Sequence, residues 1–440
     1  MRHWQQVRLR DVSTVITKGT TPTTLGYPFT EAGINFVKSE SISTDGRIDR
    51  SKFAFIDEAT NRVLKRSILA EEDILFSMAG VFIGKTAVVP REILPANTNQ
   101  AVGIIRLDRS KADPHFVDYH LRNRTYNKFI NNLVAQSAQP NLNLAEIGNL
   151  PLALPPLEEQ RAIAQVLGAL DNKIELNQRM NETLEATAQA IFRSWFIDFL
   201  PIRSKPIGQT SNAASTYGFI FPDGFQPTGI GEIPDGWTVT SVYDCATFIN
   251  GVAFSKVHFS LDGSGLPIVK IAELKDGVTA QTKFTNGELA GKYKIRDGEI
   301  LFAWSGSPDT SIDTFVWAGG DAWLNQHIFK VEFYSPHEKL FVYYLLKHLK
   351  PTFIEIARDK QTTGLGHVTA QDLKRLKVAF PSPAVLEAFQ RVVEPLFERS
   401  FQTLTESRTL AALRDALLPK LLSGKLQVRP ETLSQEVSHA

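Results

Sequence analysis

Cysteine is almost missing from this chain. Cys245 stands alone among 440 residues, which excludes an internal disulfide and any cysteine-ligated zinc site and fits a reducing compartment. No apolar run approaches the roughly twenty residues that cross a bilayer. Met1-Arg2-His3-Trp4 begins no secretory leader, so a cytoplasmic protein without a membrane segment is expected. The nine histidines are scattered without a metalloprotease spacing, so no metal site is predicted. A methyltransferase tetrapeptide of the Asn-Pro-Pro-Tyr type is also lacking. An excess of one charge is absent too, the net charge being +1. Neutralised phosphates supply most of the affinity of a DNA-binding protein. A DNA-binding role therefore requires basic residues gathered on one face, or positive surface supplied by a partner subunit.

What is present is a long internal repeat. Trp4 opens WQQVRLRDVSTVIT and Trp237 opens WTVTSVYDCATFIN, with Asp11 over Asp244, Leu9 over Val242 and Ile16 over Ile249. Farther on, Glu72-Asp73-Ile74-Leu75-Phe76 lies over Gly298-Glu299-Ile300-Leu301-Phe302, Gly80 over Gly306, and Asn99-Gln100 over Asn325-Gln326. Leu150 to Pro155 then lies over Leu376 to Pro381. A period this long is a duplicated domain with its follow-on segment, not a solenoid unit. A pseudo-twofold axis and two similar working surfaces follow.

Each copy reads as mixed strand and turn. In the first, Ile34 to Val37, Ile74 to Phe76, Ala87 to Val89 and Val102 to Leu107 are separated by Gly, Pro, Asn and Asp, with one helical stretch from Phe116 to Leu133. In the second, Ile268 to Ile271, Ile300 to Trp304 and Ile328 to Phe333 precede a helical stretch from Leu340 to Ala357. After each copy the apolar period becomes helical. Ile163, Leu167, Leu170, Ile174, Leu184, Ala188, Ile191 and Trp195 mark a coiled-coil seam, with Asn177 and Asn181 in its middle. The second seam holds Phe389, Val393, Leu396, Leu410, Leu417 and Leu421, with Ser400 and Ser407 between and Pro395 expected to bend it. The two helices are predicted to pair antiparallel as a rigid spacer. The expected organisation is a domain over 1–155, a helix over 156–200, a linker rich in Pro, Gly, Ser and Thr over 201–236, a second domain over 237–381, a helix over 382–428 and a tail over 429–440. The fold class is α+β: two duplicated mixed domains separated by two long antiparallel coiled-coil helices.

The run LPPLEEQRAIAQVLGALDNKIELNQRMNETLE from Leu154 to Glu185, followed by SWFIDF from Ser194 to Phe199, resembles the central region of type I restriction-modification specificity subunits. GEIPDGW from Gly231 to Trp237 and LLPKLLSGKL from Leu417 to Leu426 resemble the same family, so the likeness runs in order along the whole chain. It implies a non-catalytic subunit with two target recognition domains, each reading one half of a split, asymmetric double-stranded DNA site. It further implies that the helices set the gap and dock two modification subunits, with restriction subunits joining through the complex. No cofactor is implied in this chain: S-adenosylmethionine belongs to the modification subunit, ATP and magnesium to the restriction subunit. Docking is expected at Pro155, Pro156, Leu157, Glu159, Gln160 and Arg161, with Gln390 in the weaker second copy. A methylation-only system would use the same kind of subunit, and a coiled-coil scaffold without a DNA role is the alternative of a different class.

Two motifs suggest catalysis and lose to simpler readings. Ala79 to Thr86 fits a permissive phosphate-loop pattern, but Ala87-Val88-Val89-Pro90 follows where the phosphates need a helix N-terminus, so a glycine-rich turn between strands is expected. Asp235, Glu273 and Lys275 resemble scattered nuclease carboxylates with a lysine, but Pro-Asp-Gly is a turn signal and the first copy has no matching set. DNA contacts are instead expected from loops of amide, hydroxyl and basic side chains, which suit base edges and phosphates. In the first domain these are Lys18, Thr20, Thr21, Lys38, Ser39, Lys85, Asn99, Gln100, Gln136, Gln139 and Asn141. In the second they are Asn250, Lys256, Lys270, Trp304, Ser305, Ser307, Asn325, Gln326, His327, Gln361, Thr363 and His367. Aligned positions differ in kind, Ala101 against His327 and Met78 against Trp304, so different half-sites follow.

Overall fold

Short apolar runs bounded by turn-forming residues become strands here, and the two periodic segments become the longest helices. The computed structural model describes residues 4–80, 83–123, 126, 129–130, 141–204, 220–361 and 365–428. The chain divides into two compact units, Met1–Lys173 with Leu410–Ala440, and Ile174–Thr409. The long helices Leu157–Phe196 and Pro383–Leu422 each contribute to both units. They are thus parts of two cores, and not a separate spacer domain.

In the first unit, β1 (Gln5–Arg8), β2 (Ser13–Lys18), β3 (Ile34–Val37), β4 (Ala54–Ile56), β5 (Ile74–Ser77), β6 (Thr86–Val88), β7 (Ala96–Thr98), β8 (Val102–Leu107) and β9 (Pro151–Leu154) occur in chain order. They form an antiparallel sheet β2-β8-β5-β6, a sheet β4-β3-β7 whose β3 and β7 run parallel, and a pair β1-β9. Ile74, Phe76, Ile105 and Phe116 of the domain pack with Ile163 and Leu167 of the first long helix and Leu421 of the second. Burying such side chains contributes about 1.5–3 kcal/mol each. Gly424, at φ +67, closes the second helix one step beyond Ser423, as a left-handed C-terminal cap requires.

The second unit has β10 (Phe225–Thr228), β11 (Gly231–Pro234), β12 (Thr238–Ser241), β13 (Thr247–Asn250), β14 (Leu266–Val269), β15 (Phe284–Thr285), β16 (Lys294–Ile295), β17 (Ile300–Ala303), β18 (Ser305–Gly306), β19 (Asp313–Val316), β20 (Ala322–Leu324), β21 (Ile328–Glu332), β22 (Gly366–His367) and β23 (Lys377–Phe380). Its sheets β13-β21-β17-β19, β15-β14-β20 and β12-β23 repeat the order and directions of the first unit, including the parallel pair β14 and β20, and β16 adds an antiparallel strand beyond β20. The repeat read in the sequence is therefore a repeat of topology.

Several boundaries differ from expectation. The segment expected as linker carries the hairpin of β10 and β11, and Phe221 and Ile233 are buried in the core of the second unit. Its Pro and Gly serve a tight hairpin, which composition does not distinguish from open linker. Residues 205–219 of that segment, and the tail 429–440, lie outside the described residues. The stretch from Leu340 to Ala357 is two helices, Glu338–His348 and Lys350–Asp359, because Pro351 cannot donate the hydrogen bond that continuity needs. The helical stretch predicted from Phe116 to Leu133 starts at Pro114 and breaks after Arg122, where Asn123 turns extended, and Tyr126, Phe129 and Ile130 are helical again. The second long helix runs unbroken through Pro395.

Both helices pair antiparallel within each unit. In the second, Asn177 Nδ2 donates to Glu406 Oε2 at 2.8 Å, and the buried Thr403 hydroxyl donates to Asn181 Oδ1. In the first, Asp171 of one helix accepts from Arg414 of the other at 2.8 Å.

His120 sits on the helix Pro114–Arg122 between the rings of Phe116 and Tyr126, and its Nδ1 has no partner among the described residues. Burial pushes its pKa down to about 4 from the usual 6.5. The unfolded chain therefore takes up the proton first, so stability is full above about pH 6.5 and is lost as pH falls toward 4. The loss attributable to His120 should reach about 2 kcal/mol by pH 5. His120→Leu should flatten that part of the profile for the first unit, read as melting temperature against pH in wild type and variant. His348, also lowered by burial, adds a slope of the same sign in the second unit.

Candidate DNA interface

The parallel strands β3 and β7 end side by side, and that junction gathers most of the predicted residues of the first domain. Val37 pairs with Thr98, whose hydroxyl donates to Val37 O at 2.6 Å, so Lys38 and Ser39 emerge beside Asn99 and Gln100. The chain leaving β2 crosses the same turn: Gly19 N–H donates to Val102 O and Thr20 N–H to Thr98 O. A Cβ on Gly19 would lie 2.0 Å from Thr98 O, so only glycine permits this crossing. Thr21 donates from its backbone N–H to Gln100 Oε1 at 3.0 Å and from its hydroxyl to the same oxygen. Asn99 Oδ1 accepts from Ala101 N–H at 3.2 Å and shapes the turn. Lys18 and Asn141 are exposed, Asn141 bridging Ala79.

The second domain builds the same junction from β14 and β20, with different side chains. Val269 pairs with Leu324, Lys270 follows, and Gly251 crosses the Asn325-Gln326 turn with a would-be Cβ 2.2 Å from Asn325 O. Trp304 Nε1 donates to Asn250 Oδ1 at 3.1 Å, and its ring lies 5.8 Å from that of His327. Gln326 Nε2 is 3.2 Å from His327 Nε2, and Ser305 pairs with His367. Lys256 and Gln361 are exposed on flanking loops, and Ser307 precedes the helical turn Pro308–Ser311.

Several predicted residues do other work. Asn325 is buried, and its Oδ1 accepts from His327 N–H at 3.4 Å, so its side chain holds the turn. Lys85 donates to Ile42 O at 3.0 Å, and burial lowers its pKa. It steadies a neighbouring loop. Gln160 is 1% exposed, accepts from Asp113 N–H at 2.9 Å and donates to Pro155 O at 2.9 Å and Lys111 O. An amide satisfied on both sides and shielded from solvent cannot form a docking surface. Gln390 has a comparable place, its Oε1 3.0 Å from His337 Nδ1. Each glutamine ties a long helix to the start of a domain helix. Pro155 is buried as well, Leu157 and Glu159 are half-buried, and Pro156 and Arg161 stay exposed. Gln136, Gln139 and Thr363 lie outside the described residues.

The two catalytic-looking motifs are structural. Gly80 and Gly84 take φ of +91 and +85 between β5 and β6, which the predicted glycine-rich turn requires. Glu273 accepts from Lys270 N–H and from Thr282, capping the helix Ile271–Asp276. Among the described residues no group of three or more His, Cys, Asp or Glu could hold a metal ion, and no helix is long and apolar enough to cross a membrane. Sequence reading missed Arg66, whose Nη2 lies 3.4 Å from the Thr20 hydroxyl. Its signal was the basic run of Arg62, Lys65 and Arg66, exposed here.

A family model described as type I restriction modification DNA specificity domain matches residues 1–186 and 234–392. The chain belongs to the type I restriction-modification DNA specificity family. Among curated specificity-family relatives, the type I restriction enzyme MjaIX specificity subunit of Methanocaldococcus jannaschii is 24% identical over 435 residues, covering 97% of this chain and 94% of the relative. The HindI specificity subunit of Haemophilus influenzae is 24% identical over 329 residues, covering 65% and 71%. A crystal structure of a type I system S subunit from M. genitalium shares the fold, with a TM-score of 0.56 at 15% identity over 95% of this chain and 96% of that one. As a specificity subunit, this chain carries its two matched regions on its two topological repeats, and each repeat is a target recognition domain.

Gly19→Ala should lower the stability of the first unit by about 1–3 kcal/mol, because backbone must shift to clear the added carbon. Gly26→Ala, where φ is +82 and an added Cβ meets no described residue within 4 Å beyond its chain neighbours, is the control for backbone strain alone. Thermal unfolding compares the two.

Proposed function

We propose that each recognition domain reads one half of a bipartite, asymmetric double-stranded DNA site, the junctions of β3 with β7 and of β14 with β20 supplying the base-edge contacts. The carrying observation is that one topological place in both domains gathers hydroxyl, amide and basic groups, while the chemistry differs: Thr20, Thr21, Arg66 and Gln100 against Asn250, Trp304, Gln326 and His327. The same scaffold with different side chains suits two unlike half-sites. In this reading the long helices hold the halves at a fixed separation and dock two modification subunits, through which restriction subunits join. The chain itself performs no catalytic step. S-adenosylmethionine is bound by the modification subunit, and ATP and magnesium by the restriction subunit.

The test is genome-wide mapping of adenine methylation in cells carrying this chain with its modification partner, against cells lacking this chain. A new motif of two short defined halves around a fixed undefined gap supports the proposal. No new mark, with a partner proven active on another specificity subunit, overturns it.

A further inference from the structure

The loop that follows β2 in the first domain and β13 in the second is tethered at both ends and apolar at its tip. The near tether is Gly19 or Gly251, pressed on the Asn-Gln turn. At the far tether a lysine ammonium lies over a loop phenylalanine: Lys38 is 5.2 Å from the Phe29 ring centroid and Lys270 is 5.5 Å from that of Phe259. Between the tethers, Leu25 is 52% exposed and Val257 87%, and Leu261, two residues beyond the tethered Phe259, is 106% exposed. Leu25 ends a helical turn that begins next to Thr21, the residue bonded to Gln100. Val257 lies in the turn Lys256–His258, between Lys256 and a histidine whose Nδ1 accepts from Ser255 N–H at 2.9 Å. Scattered exposed leucines are ordinary. Here an exposed aliphatic side chain, Leu25 or Val257, recurs six residues after the tether glycine in both divergent copies, beside the polar junction proposed to meet DNA, and Leu261 extends the apolar surface in the second.

We infer that Leu25 in the first domain, and Val257 and Leu261 in the second, are specificity-determining residues that press on thymine 5-methyl groups of their half-sites. The inference rests on the bipartite-recognition reading above. The thymine methyl is the apolar feature of the major-groove edge, and leucine and valine carry no hydrogen-bonding group for any other.

The experiment uses the full chain assembled with its modification subunit, a duplex carrying the mapped site and a scrambled duplex. Combined Val257→Ala and Leu261→Ala should weaken binding to the mapped duplex about five- to thirtyfold, leaving the scrambled duplex and the salt dependence unchanged. Replacing thymine by deoxyuridine in that half-site should weaken the wild-type complex and spare the variant. Leu25→Ala should act in the same way on the other half-site. If the wild-type complex discriminates and the variant keeps its discrimination within twofold, the inference fails while the bipartite reading stands. Equal weakening on both duplexes, or no effect of deoxyuridine on wild type, also overturns it. A wild-type complex that binds both duplexes alike removes the underlying reading itself.

Discussion

Phe389→Ala should destabilise the second unit by about 3–5 kcal/mol, the range for truncating a buried aromatic side chain. Its ring is fully buried on the second long helix and lies 6.1 Å from Phe192, 5.8 Å from Trp195 and 4.9 Å from Phe196 of the first long helix. It also meets Tyr344 of the domain helix at 6.4 Å, edge to face. Three elements therefore share one side chain, and its loss leaves a cavity that none of them can close alone. A melting temperature lower by roughly 6–20 °C is expected for a unit of this size. Hydrogen exchange should quicken first in the segment from Ser194 to Phe199. Phe389→Leu keeps most of the volume and should cost well under half as much. A shift below 2 °C for the alanine variant would show that the cluster does not hold the helices together.

In the first unit the corresponding joint is polar, and Asp171→Ala should cost about 3 kcal/mol, near the low end for stripping one partner from a largely buried charge network. Asp171 accepts from the Tyr119 hydroxyl at 2.6 Å and from Arg414 at 2.8 Å, with Arg122 at 3.8 Å. Burial and the Asp171 charge push the Tyr119 phenol above its ordinary pKa. Without the carboxylate, Arg414 keeps Asp415 and the Tyr119 hydroxyl loses its acceptor, while Arg122 keeps Asp118. Adding Arg414→Met to Asp171→Leu should recover part of the loss, because apolar replacement of both partners removes the unpaired charge. A double-mutant cycle of chemical unfolding checks it: additivity within 0.5 kcal/mol would mean that the pair is not coupled. Tyr343 donates to Glu185 at 3.4 Å in the second unit, so each domain helix offers a tyrosine to a carboxylate of the first long helix.

The repeat and the two long helices were legible because they depend on periodicity, which is local and redundant. Ile163, Leu167 and Ile174 are buried as the seam predicts, and so are Phe389 and Val393. Helix limits at Leu157 and Leu422 follow from Pro155-Pro156 before one and Gly424 after the other. The candidate loops were legible by residue type, and their gathering at the ends of β3 and β14 was not. That gathering depends on parallel pairing with β7 and β20, distant in sequence and invisible to a sliding pattern.

By itself the sequence determined that there are two copies of one domain, that each leads into a long helix, and which kinds of side chain each copy can offer to DNA. These rest on repeat, period and composition, which no fold can alter. Tertiary structure alone decided which of those side chains remain available. Gln160 looked like part of a surface motif and became a buried clamp, and Lys85 was drawn to a carbonyl. Leu25, Val257 and Leu261, which no motif or period in the sequence singles out, stand exposed on or beside the tethered loops. A polar group bonds to whatever donor or acceptor packing brings within about 3 Å, and that neighbour is set by contacts far away along the chain.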